Sequence, residues 1–182
     1  MDDTFRSQYL KDLARMFGNY KSLAEAAMTQ VSDEQLVTAL SPEANSIANI
    51  ARHISGNFQS RFRDFLTTDG EKPDRDRDGE FEAWRASRGE VLAYWEAGWT
   101  VATRAIEALT PGDLDRTITI RGESFLVVEA LHRSVTHTAY HVGQIVFLAK
   151  HFAGAQWKSL SIPKGQSRQA GGQFKQAFVR QS

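Results

Sequence analysis

The sequence contains no cysteine. This absence excludes disulfide bonds, zinc sites built from thiolates and any mechanism that uses a cysteine nucleophile. It also suits a reducing compartment. The first ten residues, MDDTFRSQYL, lack the basic segment and the apolar run of a secretory signal. We therefore expect a cytoplasmic protein.

The chain also lacks an excess of either charge and any long apolar run. Lys and Arg together number 22, and so do Asp and Glu, so the formal net charge is zero. A protein that binds nucleic-acid backbones normally carries a basic excess. No apolar segment approaches the roughly 20 residues that cross a bilayer. We therefore expect neither nucleic acid nor membrane as a partner, and the 182 residues fit a single domain.

Four long segments have apolar residues at the spacing of an amphipathic helix. They cover about residues 4–28, 41–66, 81–109 and 124–152, with Thr4 as a plausible first N-cap. Four helices of this length with modest connections predict an all-α protein built as a four-helix bundle.

The segments between the helices carry weaker signals. Residues 32–40 could form a turn or two of helix, and we expect the charged loop at 69–80 to be solvated. The run RTITI at 116–120 has alternating β-branched residues, so it predicts a short hairpin or an extended connection before the last helix. The core then covers about residues 4–152, and the tail at 153–182 should be irregular at least in part.

The most informative side chains are His137 and His141, four residues apart on the last helix. This spacing places two side chains on one helix face with Cβ atoms roughly 5–6 Å apart, so both imidazoles can reach one metal ion. Ala130 and Leu148 share that face, which should therefore point into the bundle. Buried imidazoles need hydrogen bonds or a ligand. His132 lies on the opposite face and should be at the surface.

A third histidine, His53, lies at the margin of the apolar stripe of the second helix. If the second and fourth helices are neighbours, His53 completes a three-histidine site. A polar line beside it could hydrogen-bond the imidazoles, or it could simply mark the boundary between buried and exposed faces. This line consists of Ser46, Asn49, Asn57, Ser60 and Asp64.

Three neutral imidazoles suit zinc, nickel, iron or copper and leave at least one coordination position open for water or substrate. We expect one divalent ion per chain, with zinc or nickel ahead of iron or manganese. Asn57, Tyr140 and Gln144 are candidates to assist at that position. The alternative role for Tyr140 and Gln144 is hydrogen bonding between helices.

Other known metal-binding motifs lack residues that they require in this sequence. No glutamate lies between His137 and His141, as a zincin requires. One Glu-x-x-His element, Glu129 to His132, is too little for a di-iron carboxylate site. The loop that begins at Asp74 starts like a calcium loop, but Arg85 occupies its twelfth position, where glutamate is required. Calcium remains a minor alternative for this loop.

Four stretches of the sequence resemble a known family. The first and third of them carry the three histidines, and their order along the chain resembles the DinB-like (YfiT-like) superfamily, in particular an uncharacterised bacterial branch. The stretches are NSIANIARHISGNFQSRF (45–62), DGEKPDRDRDGEF (69–81), HTAYHVGQIVFLAK (137–150) and WKSLSIPKGQS (157–167).

The resemblance implies an antiparallel bundle with one long crossover, a metal ion bound by His53, His137 and His141, and frequent homodimers. Characterised members are metal-dependent enzymes, among them thiol S-transferases that use bacillithiol and a mycothiol-dependent isomerase. Other members have no assigned activity. No motif in this sequence identifies a thiol or an electrophile, so the resemblance carries the metal site and not the reaction.

Two classes of function follow from these observations. The first is a metal-dependent enzyme on a small molecule, either a transferase of a low-molecular-weight thiol or a hydrolase. The second is a non-catalytic role, in which metal stabilises the bundle or senses stress. A bundle without metal, whose histidines only form hydrogen bonds, is a third possibility. The aromatic third helix could supply a homodimer contact, or it could pack under the 69–80 loop and the tail.

Overall fold

Residues 2–168, which the computed structural model describes, are mostly helical with one small sheet. The helices are α1 (Asp3–Met28), α2 (Asp33–Val37), α3 (Ile47–Phe62), α4 (Arg88–Glu107) and α5 (Val127–Ala153). The strands are β1 (Thr117–Ile120) and β2 (Glu123–Leu126). Short 3-10 turns lie at Gly79–Phe81, Pro111–Asp115 and Gly154–Gln156. The predicted predominance of helix is confirmed.

Side-chain caps fix the helix starts, and several differ from the predicted ones. Asp2, not Thr4, caps α1 by accepting a hydrogen bond from a backbone N–H of the first turn. Ser46 caps α3, which therefore starts at Ile47 rather than near residue 41. Ser87 and Glu90 form a capping box, so α4 starts after residue 87 rather than near 81.

The strand signal at 116–120 forms the hairpin that was one of its two predicted outcomes. β1 pairs antiparallel with β2, and Ile118 lies opposite Phe125. Arg121 and Gly122, with φ of 56° and 76°, form the turn between the strands. Because residues 123–126 pair in this hairpin, α5 starts at Val127 rather than near residue 124.

The four long helices share one apolar core. α3 packs against α4 and α5, and α1 packs against the same two helices. An aromatic cluster lies at the centre, where the ring of Phe58 is 4.9 Å from that of Trp99 and 5.8 Å from that of Phe17. On the aromatic third long helix, which could have supplied a dimer contact, Trp95 and Trp99 are buried within their own chain.

The charged loop at 69–80 is only partly solvated, contrary to the prediction. Lys72 and Glu80 are buried, and the guanidinium side chain of Arg75 is 4% exposed. The polar line of α3 holds this loop: Asn49 Nδ2 donates to the carbonyl of Glu82 at 2.6 Å, and Ser60 Oγ donates to that of Gly70 at 2.9 Å. Asn49 and Ser60 of this line therefore bind backbone carbonyls rather than the histidines.

The tail is irregular after its 3-10 turn, as predicted for the part that is described. Lys158 N donates to Gln30 Oε1 at 2.7 Å, and Gln30 Nε2 donates to the carbonyl of Lys158 at 3.1 Å. These bonds fix the segment beside the end of α1. Residues 169–182 of the predicted tail lie outside the described residues. Within residues 2–168, no helix is both long enough and apolar enough to cross a membrane.

α4 lies close against α3 at Gly98, where an added Cβ would lie 2.5 Å from the Cα of Ser55. We expect Gly98→Ala to lower the free energy of unfolding by about 1–3 kcal/mol, because the backbone of α3 would have to move. Gly18→Ala is the matched control, since nothing lies within 4 Å of its added Cβ on α1. There the substitution should stabilise by about 0.5–1 kcal/mol. Urea denaturation of both variants tests this, and equal effects would contradict it.

Candidate metal centre

His53, His137 and His141 come together between α3 and α5. One ring nitrogen of each lies within 4.8 Å of the others. The Nε2 atoms of His53 and His137 are 3.1 Å apart. Two nitrogens that bind one tetrahedral ion at about 2.0–2.1 Å are separated by roughly 3.3–3.4 Å. The spacing of the three side chains therefore fits a single metal ion.

Helix geometry explains this convergence. Successive turns of α5 present His137 and His141 on the same side, with ring centroids 4.6 Å apart. α3 packs against that side and brings the ring of His53 to 4.7 Å from the ring of His141. The second and fourth long helices, α3 and α5, are therefore neighbours as predicted, and their contact brings the three histidines together.

Burial keeps two of the imidazoles neutral. Desolvation, with smaller effects from His141 and His53, lowers the pKa of His137 to about 3. Desolvation also lowers the pKa of His141, although its hydrogen bond to Gln144 acts in the opposite direction. A neutral imidazole keeps a lone pair on one nitrogen, which is the form that binds a metal ion.

The orientation of His53 is set by a buried carboxylate. Its Nδ1 lies 2.7 Å from Glu80 Oε2. An ionised carboxylate can only accept, so Nδ1 donates and the lone pair of Nε2 faces the other histidines. Arg75 donates to the two oxygens of Glu80 at 2.8 and 2.9 Å. A histidine held by a carboxylate through its other nitrogen is the usual arrangement for a metal ligand.

Glu80 stays ionised despite its burial. Burial alone would raise the pKa of this carboxyl, but the hydrogen bonds from His53 and Arg75 outweigh it, so the pKa lies below its ordinary value. Phe81, the next residue, places its ring 4.6 Å from the ring of His53 and covers that side of the site. The loop before α4 therefore supplies both the partner of His53 and part of its apolar wall.

The other predicted residues lie in different positions around the group. Gln144 Oε1 accepts from His141 Nδ1 at 2.9 Å and so directs Nε2 of that ring. Tyr140 is 64% exposed, with its ring 5.0 Å from the ring of His141. Asn57 lines the adjacent cavity. His132 is exposed, as predicted, and its ring lies edge-on to Tyr9.

His137 differs from the other two histidines in the environment of its Nδ1 atom. Its Nδ1 is buried and has no hydrogen-bond partner within residues 2–168. In the absence of a metal ion, Nε2 of His137 could instead donate a proton to Nε2 of His53. With a metal ion on Nε2, the proton of His137 lies on Nδ1; without one, the proton lies on Nε2. The metal-free arrangement is the alternative in which the histidines only form hydrogen bonds.

A cavity of about 370 Å³ opens beside the histidines. Phe62, Phe65 and Ile120 are among its apolar lining residues, and all three histidines also line it. A molecule in this cavity can therefore contact the open side of the three-histidine group.

Glu80 and Arg75 were not identified from the sequence. Both lie outside the long helices, where periodicity carries no information, and a charged loop with proline and glycine is ordinarily solvated. The one sequence feature that could have led to them is the polar line of α3, because a polar helix face within a bundle indicates that a polar segment packs against it. The acidic residues of the loop form no candidate metal site within the described chain, so the calcium alternative receives no support.

The fold and the site together define a mostly helical protein with a three-histidine group that could hold a metal ion. The chain belongs to the family described as "Protein of unknown function (DUF1572)", which it matches over residues 4–166. This match is compatible with the DinB-like resemblance and names no activity. Among curated proteins, none matches the chain.

We expect protein purified without an affinity tag to contain about one divalent ion per chain. The double variant His137→Ala/His141→Ala should contain none, because two of the three ligands are removed. The matched control is His132→Ala/His151→Ala, which changes two exposed histidines of the same helix. Elemental analysis measures the content. Metal-free wild-type protein that also fails to take up zinc or nickel would contradict the assignment.

Glu80→Gln should weaken metal binding about 10- to 100-fold, because the neutral amide replaces the charged carboxylate that holds and orients the ring of His53. Glu71→Gln is the control: this carboxylate pairs with Arg61 of α3 and Arg121 of the hairpin turn, and it has no contact with the three histidines. Competition against a coloured chelator gives both affinities, and a denaturation curve establishes that each variant is folded. Equal affinities for Glu80→Gln and wild type would refute the role of Glu80.

Proposed function

We propose that this chain binds one divalent metal ion through His53, His137 and His141 and catalyses a reaction of a small molecule there. The observation that carries the proposal is the convergence of three histidines, two of them buried and one partly buried, on a cavity of about 370 Å³. Zinc or nickel suits three imidazoles best, with iron or manganese as alternatives. The reaction class is thiol transfer or hydrolysis.

The chemistry of the two reaction classes is related. A divalent ion bound by three imidazoles supplies a positive charge that lowers the pKa of a thiol or a water molecule beside it. The protein's own residues prepare the site: Glu80 and Gln144 orient the imidazoles, and Phe81 and Phe62 exclude water from the cavity wall.

Two further residues are proposed to contact the substrate. Tyr140 lies at the rim of the cavity, where its hydroxyl can donate a hydrogen bond to a leaving group or to a bound carbonyl. The side-chain amide of Asn57 also reaches the cavity and can both donate and accept. Gln144 is assigned a positioning role, because it already bonds the Nδ1 atom of His141.

We propose that the fold is the antiparallel four-helix bundle of the DinB-like superfamily, formed by α1, α3, α4 and α5. The packing of α3 and α1 against the same two helices supports this arrangement. Residues 1–182 are proposed as one domain, since all four helices contribute to one apolar cluster. A homodimer is also proposed, with the exposed Tyr140 and Phe147 of α5 as candidate contacts.

A non-catalytic role is the second candidate. It is favoured by the buried contacts that tie the 69–80 loop to His53, because metal binding there could stabilise the loop as well as the helices. Against it, structural zinc ions normally have four protein ligands. The group here offers three, beside a cavity.

A screen of metal-loaded protein separates the two candidates. Low-molecular-weight thiols with monochlorobimane, and small activated esters, test the two reaction classes. We expect turnover that falls to background in His137→Ala/His141→Ala and is unchanged in His132→Ala/His151→Ala. If no thiol or ester turns over while removal of the metal unfolds the protein, the non-catalytic role is correct.

A further inference from the structure

The cavity beside the histidines has an unusually cationic wall for a chain without net charge. Within residues 2–168, no aspartate or glutamate lines it. Five of its sixteen lining residues are arginines. These are Arg61, Arg75, Arg77, Arg121 and Arg133. Because the whole chain has equal numbers of acidic and basic residues, this concentration of positive charge is local.

Three of these arginines have structural partners behind the wall. Glu71 accepts from Arg61 and from Arg121, each at 2.9 Å. Glu80 holds Arg75 through two hydrogen bonds. Their charges are partly balanced, and their main effect is to connect the loop, the hairpin turn and α3.

The remaining two arginines are different. Arg77 and Arg133 are exposed, and in the described part of the chain neither forms an ion pair. Arg77 lies over the ring of Phe81 and Arg133 over the ring of Phe125, each with Cζ 5.7 Å from the ring centroid. A guanidinium group that lies over a ring keeps N–H donors free at its edge.

The same cavity also has an apolar surface. Phe62, Phe65 and Ile120 contribute to its wall, and these three side chains are buried parts of the main core. A fully hydrophilic ion would leave this surface unused, whereas an apolar molecule would leave the arginines without partners. A ligand with both an oxyanion and a hydrocarbon part matches the two surfaces together.

We propose that the cavity binds a small amphiphilic anion through Arg77 and Arg133. Its carboxylate or phosphate accepts hydrogen bonds from these two arginines, and its hydrocarbon part lies against Phe62, Phe65 and Ile120. Guanidinium groups bind both kinds of oxyanion in a forked geometry. The assignment of this anion as the substrate rests on the proposed function, but its binding does not require the metal ion.

The experiment compares three probes that share one hydrocarbon part: 4-phenylbutyrate, 4-phenylbutyl phosphate and 4-phenylbutanamide. Calorimetric titration of metal-free protein should show at least one anion binding roughly tenfold more tightly than the amide, and this preference should decrease as salt is added. The tighter of the two anions identifies the oxyanion class. Equal affinity for all three probes would overturn the proposal.

Arg77→Gln/Arg133→Gln should remove the preference and leave metal content unchanged. Because both arginines are exposed, the fold should be retained, and an unchanged unfolding midpoint establishes this. The matched control, Arg15→Gln/Arg85→Gln, removes the same charge at exposed positions that do not line the cavity. A preference that survives in the first variant, or that weakens equally in the control, would refute the assignment.

The histidine variant separates this proposal from the metal site. His137→Ala/His141→Ala should keep the anion preference, even though it cannot retain the metal ion. If wild type contains no metal yet discriminates anion from amide, the proposed function fails and this inference stands. If discrimination appears only after zinc is added and is insensitive to the two arginines, the metal binds the anion and the inference fails.

Discussion

The candidate site depends on one buried interaction, the carboxylate of Glu80 between Arg75 and His53. Burying a carboxylate is costly unless charged partners and hydrogen bonds replace its water. Here both oxygens of Glu80 accept from Arg75, and one also accepts from His53. Because Glu80 precedes α4 and His53 lies on α3, this interaction fixes a loop against a helix. The same contact determines which nitrogen of His53 faces the cavity.

The burial of the imidazoles and the burial of the carboxylate have different consequences. Desolvation lowers the pKa values of His137 and His141, so these rings remain neutral and their lone pairs stay available. Glu80 keeps its charge because its partners outweigh desolvation. One negative charge thus lies behind the histidine group. It favours a cation at the centre of the group and does not occupy a coordination position.

The sequence predicted the parts of this arrangement that follow from a helical repeat. His137 and His141 share a helix face because residues four apart lie on the same side of a helix. The apolar stripe of α3 indicated that His53 lies near the core between the helices. Helix starts were predicted less well, because the hydrogen bonds of single residues such as Ser46 and Ser87 select them. Glu80 could not be predicted, since its burial depends on how an aperiodic loop packs on α3. That packing uses backbone carbonyls, which no sequence pattern displays.

The arginines of the cavity and the histidine group constrain each other. A divalent cation held by the histidines would raise the positive potential beside five guanidinium groups, of which three already pair with Glu71 or Glu80. An anionic ligand is attracted by both the metal ion and the two unpaired arginines, so it lowers the electrostatic cost of placing them together. A neutral ligand gains neither interaction. The charge distribution therefore favours positive coupling between the two ligands, in which a bound cation and a bound anion would each increase the affinity for the other.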